Sequence, residues 1–336
     1  MVIDDLTLEA SDMSDRRRVT VVGAGPVGLM SALMLALAGC DVTVISPQRP
    51  SNTTGFQVAA GLIEPVASEG ERVLRWFGRT LAWMLDVRDH RWGIEHRMVR
   101  LFGMNEIEVM PSWGEAIGGL VPFESTHPNW NFEATYQSAV LQPDIALGLI
   151  LELLKDLGVS IEECHDFEDL DHLKADPRVA ISDTVVVTTG AYIGRFNPKV
   201  VITAGVGVVI RTIGIPADPE VLMTSDLTYR IPQRDHTVWG GCLVEQLPEE
   251  PFTIEEHLEE IVEKLVKFDA SWPVGDIDGQ FVGARPLSPE PILDIEHRDG
   301  HTLVFAGGLG GSGWTLVIGL VEEMLERLDL GKPKLI

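Results

Sequence analysis

Two glycine-rich turns at opposite ends of the chain have the residue types and spacing to do chemistry. Near the start, Gly23, Gly25 and Gly28 form a GxGxxG. In such a run the first glycine allows a tight turn, the second lets backbone approach a pyrophosphate, and the third lets helix and strand pack closely. The phosphate then sits on a helix N-terminus, where unpaired N–H groups and the helix dipole favour negative charge. Near the end, Gly307-Gly308-Leu309-Gly310-Gly311-Ser312-Gly313 leads into a helix from Trp314 to about Leu328 and offers N–H groups to a polarised or anionic atom. No metal is expected. His297 and His301 are separated by the turn signal Asp299-Gly300, and Cys40, Cys164 and Cys242 are too scattered for a disulfide framework or a metal knuckle.

The first turn has the context that a dinucleotide site needs. Val19 to Val22 is an apolar run suited to a strand buried on both faces, Pro26 falls in a first helical turn, Gly39 closes the helix, and the β-branched run Val42 to Ile45 follows. Gly23, Gly25, Pro26, Val27 and Gly28 are thus candidate pyrophosphate contacts. The second strand ends in Ser46-Pro47-Gln48-Arg49, where Asp or Glu commonly binds the ribose. Arg49 would suit the 2′-phosphate of NADP, whereas Ser46 or Gln48 would suit a ribose of FAD; on these residues alone both stay open.

A formal net charge of −25 opposes binding to nucleic acid or anionic membranes, and 45% hydrophobic residues among 336 supports a sizeable core. The run Leu29 to Ala38 is too short to span a bilayer. Residues 1–17 read as a disordered leader with no signal-peptide run, and a reducing, cytoplasmic setting is expected.

Further along, Pro50 to Gly55 reads as a turn-rich loop, followed by the small residues Val58 to Leu62 and a helix from Glu69 to Asp89 with a buried aromatic stripe. Short strand-like pieces, among them Arg97 to Arg100 and Ile107 to Val109, precede a strand at Trp130 to Val140. A helix from Gln142 to Leu157, closed by Gly158, and strands at Val159 to Glu162 and Val185 to Thr188 return to an α/β pattern; Gly190 follows the second of these. Val200 to Ile213 and Tyr229 to Leu243 read as β segments, Thr253 opens a capping box for a helix to about Asp269, Gly279 to Arg285 precedes Pro286, and Leu303 to Phe305 is a strand. The fold class is therefore α/β, with a Rossmann-like nucleotide domain (18–56, 142–199 and 281–330) and a discontinuous, mainly β domain for substrate (57–141 and 200–280).

Four separated segments together resemble the D-amino-acid oxidase family of FAD enzymes: VVGAGPVGLMSALMLALAG; TTGFQVAAGLIEP; Tyr229-Arg230-Ile231-Pro232 with Val238-Trp239-Gly240-Gly241; and Gly283-Ala284-Arg285-Pro286 followed by Gly308 to Thr315. Their order and spacing agree from about Arg18 to Leu328, and the resemblance points to FAD rather than NADP. It implies that Thr53, Thr54, Ser46 and Gly190 contact cofactor phosphate or ribose, and that backbone at Ala60, Gly61 and Leu62 lines the isoalloxazine. It further implies that Gly310, Gly311, Gly313, Trp314 and Thr315 close over the flavin pyrimidine ring. Tyr229 and Arg285 would grip a substrate α-carboxylate while a carbonyl near Gly311 receives the amine. Arg suits bidentate binding of a planar carboxylate, and a phenol adds a directional donor.

The implied activity is oxidative deamination of a D-amino acid, with O2 as acceptor. The partners expected are a small amino-acid substrate and O2, with no nucleic acid or membrane and a homodimer as the assembly to test. A glycine or sarcosine-type amine oxidase, an NADP-dependent dehydrogenase and a non-catalytic flavin protein are the alternatives. Four places depart from the family pattern, the first being Ala204 to Val208, a wholly apolar run where the family's usual arginine-glycine-glutamine is not present. Ser225 stands where many members carry a lid tyrosine, and Leu309 replaces a histidine. Glu64 replaces a neutral polar residue, so it is expected either to face the substrate cavity and favour a basic side chain or to be a salt-bridged structural residue.

Overall fold

The computed structural model describes residues 16–48, 59–65, 69–197, 203–245, 254–273, 275–298, 300–333 and 335. The chain runs β1 (Arg18–Val22), α1 (Pro26–Leu37), β2 (Asp41–Ser46), α2 (Glu71–Asp86), β3 (Ile94–Gly103), β4 (Phe123–Glu124), β5 (Phe132–Leu141), α3 (Pro143–Asp156), β6 (Ser160–Glu163), α4 (Leu170–Lys174), α5 (Pro177–Ala180) and β7 (Thr184–Val187). It continues through β8 (Thr203–Ile213), β9 (Val221–Thr224), β10 (Tyr229–Pro232), β11 (His236–Glu245), α6 (Ile254–Phe268), β12 (Ile277–Arg298), β13 (His301–Leu309) and α7 (Gly313–Arg327).

All the strands join one 13-stranded sheet, in the order β4-β5-β3-β9-β10-β11-β8-β12-β13-β7-β1-β2-β6. From β13 to β6 the neighbours are parallel, as in a Rossmann-like nucleotide-binding fold. From β4 to β12 they are antiparallel except for β3 with β9. β12 belongs to both parts. Its first half pairs with β8 and its second with β13, and the register shifts between Leu287 and Ile292.

The parallel part is built as its composition requires. α1 is apolar on every side and is buried from Gly28 to Ala36. Gly39, at a φ of +89°, turns the chain out of α1, its N–H bonding to Ala36 O at 3.0 Å. α2 instead has one apolar face, which buries Val73, Trp76, Phe77, Leu81 and Met84 and packs on α7. There Gly319 leaves room for the backbone of Trp76, and its N–H bonds to Thr80 Oγ1 at 3.1 Å.

Two local expectations, on Ile107–Val109 and on Arg17, are corrected. Ile107–Val109 is a 3-10 turn rather than a strand piece: Asn105 Oδ1 accepts from the N–H groups of Ile107 and Glu108, and Glu108 accepts from Met104 N–H at 2.8 Å. This reciprocal capping outweighs the β-propensity of Ile and Val. β12 runs through Pro286 without a break. As expected, the segment from Tyr229 to Leu243 is β; it forms two strands, β10 and β11, joined by a tight turn in which Gln233 N–H bonds to His236 O at 2.8 Å. Arg17, assigned to the leader, is ordered by donating to Leu328 O at 3.0 Å. Thr253 lies outside the described residues, as do residues 1–15.

The glycines of the first turn make distinct demands. A Cβ on Gly28 would overlap Gly23 O and lie 2.6 Å from Thr188 Oγ1, whereas a Cβ on Gly25 would meet nothing within 4 Å. Gly28→Ala should therefore lower unfolding stability by roughly 1–3 kcal/mol, as overpacking does, while Gly25→Ala leaves the cofactor-free protein within about 0.5 kcal/mol of wild type. Denaturant melts of the apoproteins check this contrast, and equal stability of the two variants would contradict the packing role.

Candidate active site

The carboxyl ends of β1, β2 and β7 converge at the glycine turn. Gly23, at a φ of +107°, leaves β1 and donates to Ile45 O at 2.8 Å; Ser46, buried, ends β2 alongside it. Gly25 is the N-cap of α1, Pro26 its first residue and Val27 its second, and no side chain caps the helix. Its N-terminal N–H groups therefore face the open side of Gly25, where a phosphate would complete them. Thr188, which the sequence reading passed over, underlies the turn, its hydroxyl donating to Val22 O at 2.9 Å. Next to it Thr189 Oγ1 is buried without a partner among the described residues, and Gly190 begins a short 3-10 turn. An orphaned hydroxyl beside an uncapped helix and an open glycine is a set of groups that a dinucleotide would satisfy. Thr53 and Thr54 lie outside the described residues.

A second element, residues 60–64, lies against the end of β5. Gly61, at a φ of +75°, has its carbonyl bonded by Leu141 N–H at 2.9 Å, Leu62 bridges Val140, and Ile63 N–H bonds Ala139 O at 3.0 Å. The strip is thereby added to the end of β5. On one side Gln233, buried and just past β10, donates to Ala60 O at 2.9 Å. On the other side Thr315 in the first turn of α7 accepts from Glu64 N–H at 3.2 Å and donates to Glu64 O at 3.1 Å. The strip expected to line the isoalloxazine is thus tied both to the strand carrying Tyr229 and to the helix that follows the last glycines. Gln233 was not anticipated, since a lone Gln after a strand carries no pattern.

Tyr229, Arg285 and Gly311 come together. Tyr229 is buried in β10, its ring occupying the space that a side chain on Gly240 of β11 would take. Burial pushes its phenol up, opposed by the Arg285 guanidinium beside it, which acts as a charge and as a hydrogen-bonding partner. Arg285 in β12 also lies against the last glycine turn: a Cβ on Gly311 would be 2.8 Å from Nη1. That turn is fastened to β12 by Gly310 N–H bonding Pro286 O at 2.7 Å, with Gly310 at a φ of +56°. Gly313 starts α7 facing open space, and Trp314 is buried.

Among the described residues Glu64 has a hydrogen-bonded partner and no ion pair, so it is not the salt-bridged residue of one expectation. Its carboxyl is buried and its partner is a phenol, the Tyr136 hydroxyl of β5, which donates to Oε2 at 2.6 Å. Burial, partly offset by that bond, pushes the carboxyl up to about 7. Tyr136 is held well above the usual phenol range by burial first and by the Glu64 charge second, and it stacks edge-on against Trp113 at 5.2 Å. A carboxyl that readily keeps its proton offers little attraction to a basic side chain. Ser225 lies in a four-residue turn between β9 and β10, its N–H bonded to Phe102 O and its hydroxyl to Glu108, both at 3.0 Å. Among the described residues no group of His, Cys, Asp and Glu could hold a metal ion, and no helix is long and apolar enough to cross a membrane.

The sequence pattern of the DAO family, FAD dependent oxidoreductase, matches residues 18–327. The chain belongs to this family. It is 25% identical over 331 residues to a D-amino-acid oxidase from Dictyostelium discoideum, covering 94% of this chain and 92% of that one. An L-alpha-glycerophosphate oxidase from Mycoplasma pneumoniae, solved with FAD bound, superimposes with a TM-score of 0.76 at 13% identity over 95% of this chain and 96% of that one. A glycine oxidase from Bacillus cereus gives 0.73 at 16% identity over 94% and 95%. The cofactor of this DAO-family protein is FAD, which removes the NADP alternative raised by Ser46 and Arg49.

Glu64 makes stability depend on pH. As pH rises past its ordinary 4.5 the unfolded chain ionises while the folded one keeps the proton until about 7, so stability falls across that window and then levels. The loss is on the order of 3 kcal/mol. Glu64→Gln removes it, so the variant should gain on wild type between about pH 5 and about pH 8 in urea melts. A difference that is the same at both values would mean that Glu64 titrates as an ordinary carboxyl.

Proposed function

We propose that this flavoprotein oxidises a D-amino acid to the 2-imino acid, which water hydrolyses to the 2-oxo acid and ammonia. The observation that carries the reading is the convergence of Tyr229 and Arg285 on Gly311. Arg285 binds the α-carboxylate with two parallel N–H donors, and Tyr229, kept protonated by burial, donates a third bond. The carbonyl of Gly311 takes a hydrogen bond from the substrate amine. Three contacts fix the orientation of Cα, and orientation is the larger part of what a protein adds to flavin chemistry. Gly23, Gly25, Pro26, Val27, Gly28, Ser46, Thr53, Thr54, Thr189 and Gly190 would hold the ADP half of FAD, and Ala60 to Leu62 with Gly310 to Thr315 the flavin. Bound there, FAD supplies the two-electron acceptor and O2 its reoxidation, giving H2O2.

A second reading is oxidation of glycine or an N-methyl amino acid, which the same carboxylate clamp serves. Its specific support is the short β9–β10 turn, which places Ser225 against Phe102 and Glu108 instead of a long lid over the substrate.

Anaerobic flavin bleaching separates the readings. Bleaching by D- but not L-amino acids selects the first, and bleaching confined to glycine or N-methylglycine selects the second. A protein that stays yellow with every amino acid would sink both. In the same protein Arg285→Leu should lower kcat/KM by about a hundredfold or more while FAD remains bound, since truncating one partner of a desolvated charge pair commonly costs ~2–5 kcal/mol. Unchanged kcat/KM would put the carboxylate elsewhere.

A further inference from the structure

Tyr229 and Arg285 meet although two strands separate them. β11 and β8 lie between β10, which carries the tyrosine, and β12, which carries the arginine. At the usual strand spacing β10 and β12 stand roughly 14 Å apart, a gap that side chains standing upright from the sheet could not bridge. Register shows what lies between them. Tyr229 is directly opposite Gly240 of β11, and Gly240 is opposite Val209 of β8. Two residues along β8, on the same face, Gly207 is opposite Gly283 of β12, which is two residues before Arg285. Gly240, Gly207 and Gly283 thus put no side chain between the phenol and the guanidinium on that face.

The geometry at Gly240 is specific. A Cβ there would overlap both Cζ and Oη of Tyr229 and lie 2.7 Å from Cε1, so the hydroxyl end of the ring rests where the side chain is missing. Aromatic rings can cover a cross-strand glycine simply to shield its backbone. Here the covering atom is the one the clamp uses, because the Tyr229 hydroxyl accepts a hydrogen bond from Arg285. We propose that Gly240 is a positioning residue for the clamp, the seat in which the Tyr229 phenol lies down across β11 to reach Arg285. Any side chain at this position would lift the phenol off the sheet and part it from the guanidinium. A bound carboxylate would then be one donor short.

The proposal rests on the reading of Tyr229 and Arg285 as a carboxylate clamp, but its first test needs no substrate. The chain has three tyrosines, so tyrosine isotopically labelled at Cζ gives three resonances, and Tyr229→Phe identifies the one that matters. Arg285→Leu should shift that resonance in the wild-type background and leave it in place when Gly240→Ala is also present. A shift of equal size in both backgrounds overturns the proposal. If Gly240→Ala is too unstable to label, Tyr229→Leu should restore it, because without the ring a Cβ at Gly240 has room; a double variant that melts clearly below Tyr229→Leu alone also overturns the proposal. In the FAD-loaded protein, propionate, a carboxylate with no amine to oxidise, is titrated against the flavin spectrum. Gly240→Ala should weaken its binding about tenfold. In a Tyr229→Phe protein, which has already lost the donor, the same change should weaken it little further. Losses that multiply would mean that Gly240 acts other than through the phenol, and would overturn the proposal. If the resonances behave as expected while propionate fails to bind even the wild type, the clamp reading falls and the seat for Tyr229 stands.

Discussion

The site depends on the register of one strand. β12 pairs with β13 so that Leu287 stands opposite Leu309, and the same register puts Arg285 level with Gly311. A few residues later the pairing shifts, and from Ile292 onward β12 follows β13 into the parallel part of the sheet. A side chain from the antiparallel part is thereby set against the last glycine turn of the parallel part without a flexible linker between them. A side chain at 311 would push on the Arg285 guanidinium, whose Nη1 lies 2.8 Å from where its Cβ would stand. Register is strongly specified here, since a one-residue slip would reverse the face on which Arg285 emerges.

The strip at residues 60–64 is the second constraint, and it is held by polar groups rather than by packing alone. Gln233 and Thr315 are both buried, and each spends its hydrogen-bonding capacity on the strip's backbone. Backbone groups at a cofactor cannot all pair within a sheet, so neighbouring side chains complete them. Replacing either residue by an apolar one would leave a carbonyl of the strip, Ala60 O or Glu64 O, without that bond.

Much of this was legible in the sequence because glycines and prolines report backbone geometry directly. Gly23, Gly28 and Gly39 read correctly as turn, close approach and helix end, and the fold class and FAD followed from ordered motifs. What stayed hidden was tertiary. Thr188, Gln233 and Tyr136 are polar residues in strands or just after them, with no spacing to distinguish them, and their roles exist only once distant segments meet. Ile107 to Val109 misled because local capping by Asn105 and Glu108 overrode the β-propensity of the run. Glu64 was noticed for its type, but its partner lies 72 residues away in β5.

The short turn between β9 and β10 has a thermodynamic consequence. Thr224 and Thr228 close it on each other, with bonds of 2.9 and 3.0 Å, and Ser225 fastens it to Phe102 and Glu108 before any ligand arrives. A loop that must fold over its substrate subtracts the entropy of its own ordering from the affinity. This turn is held by its own bonds, so little further ordering is left for anything that packs against it to impose.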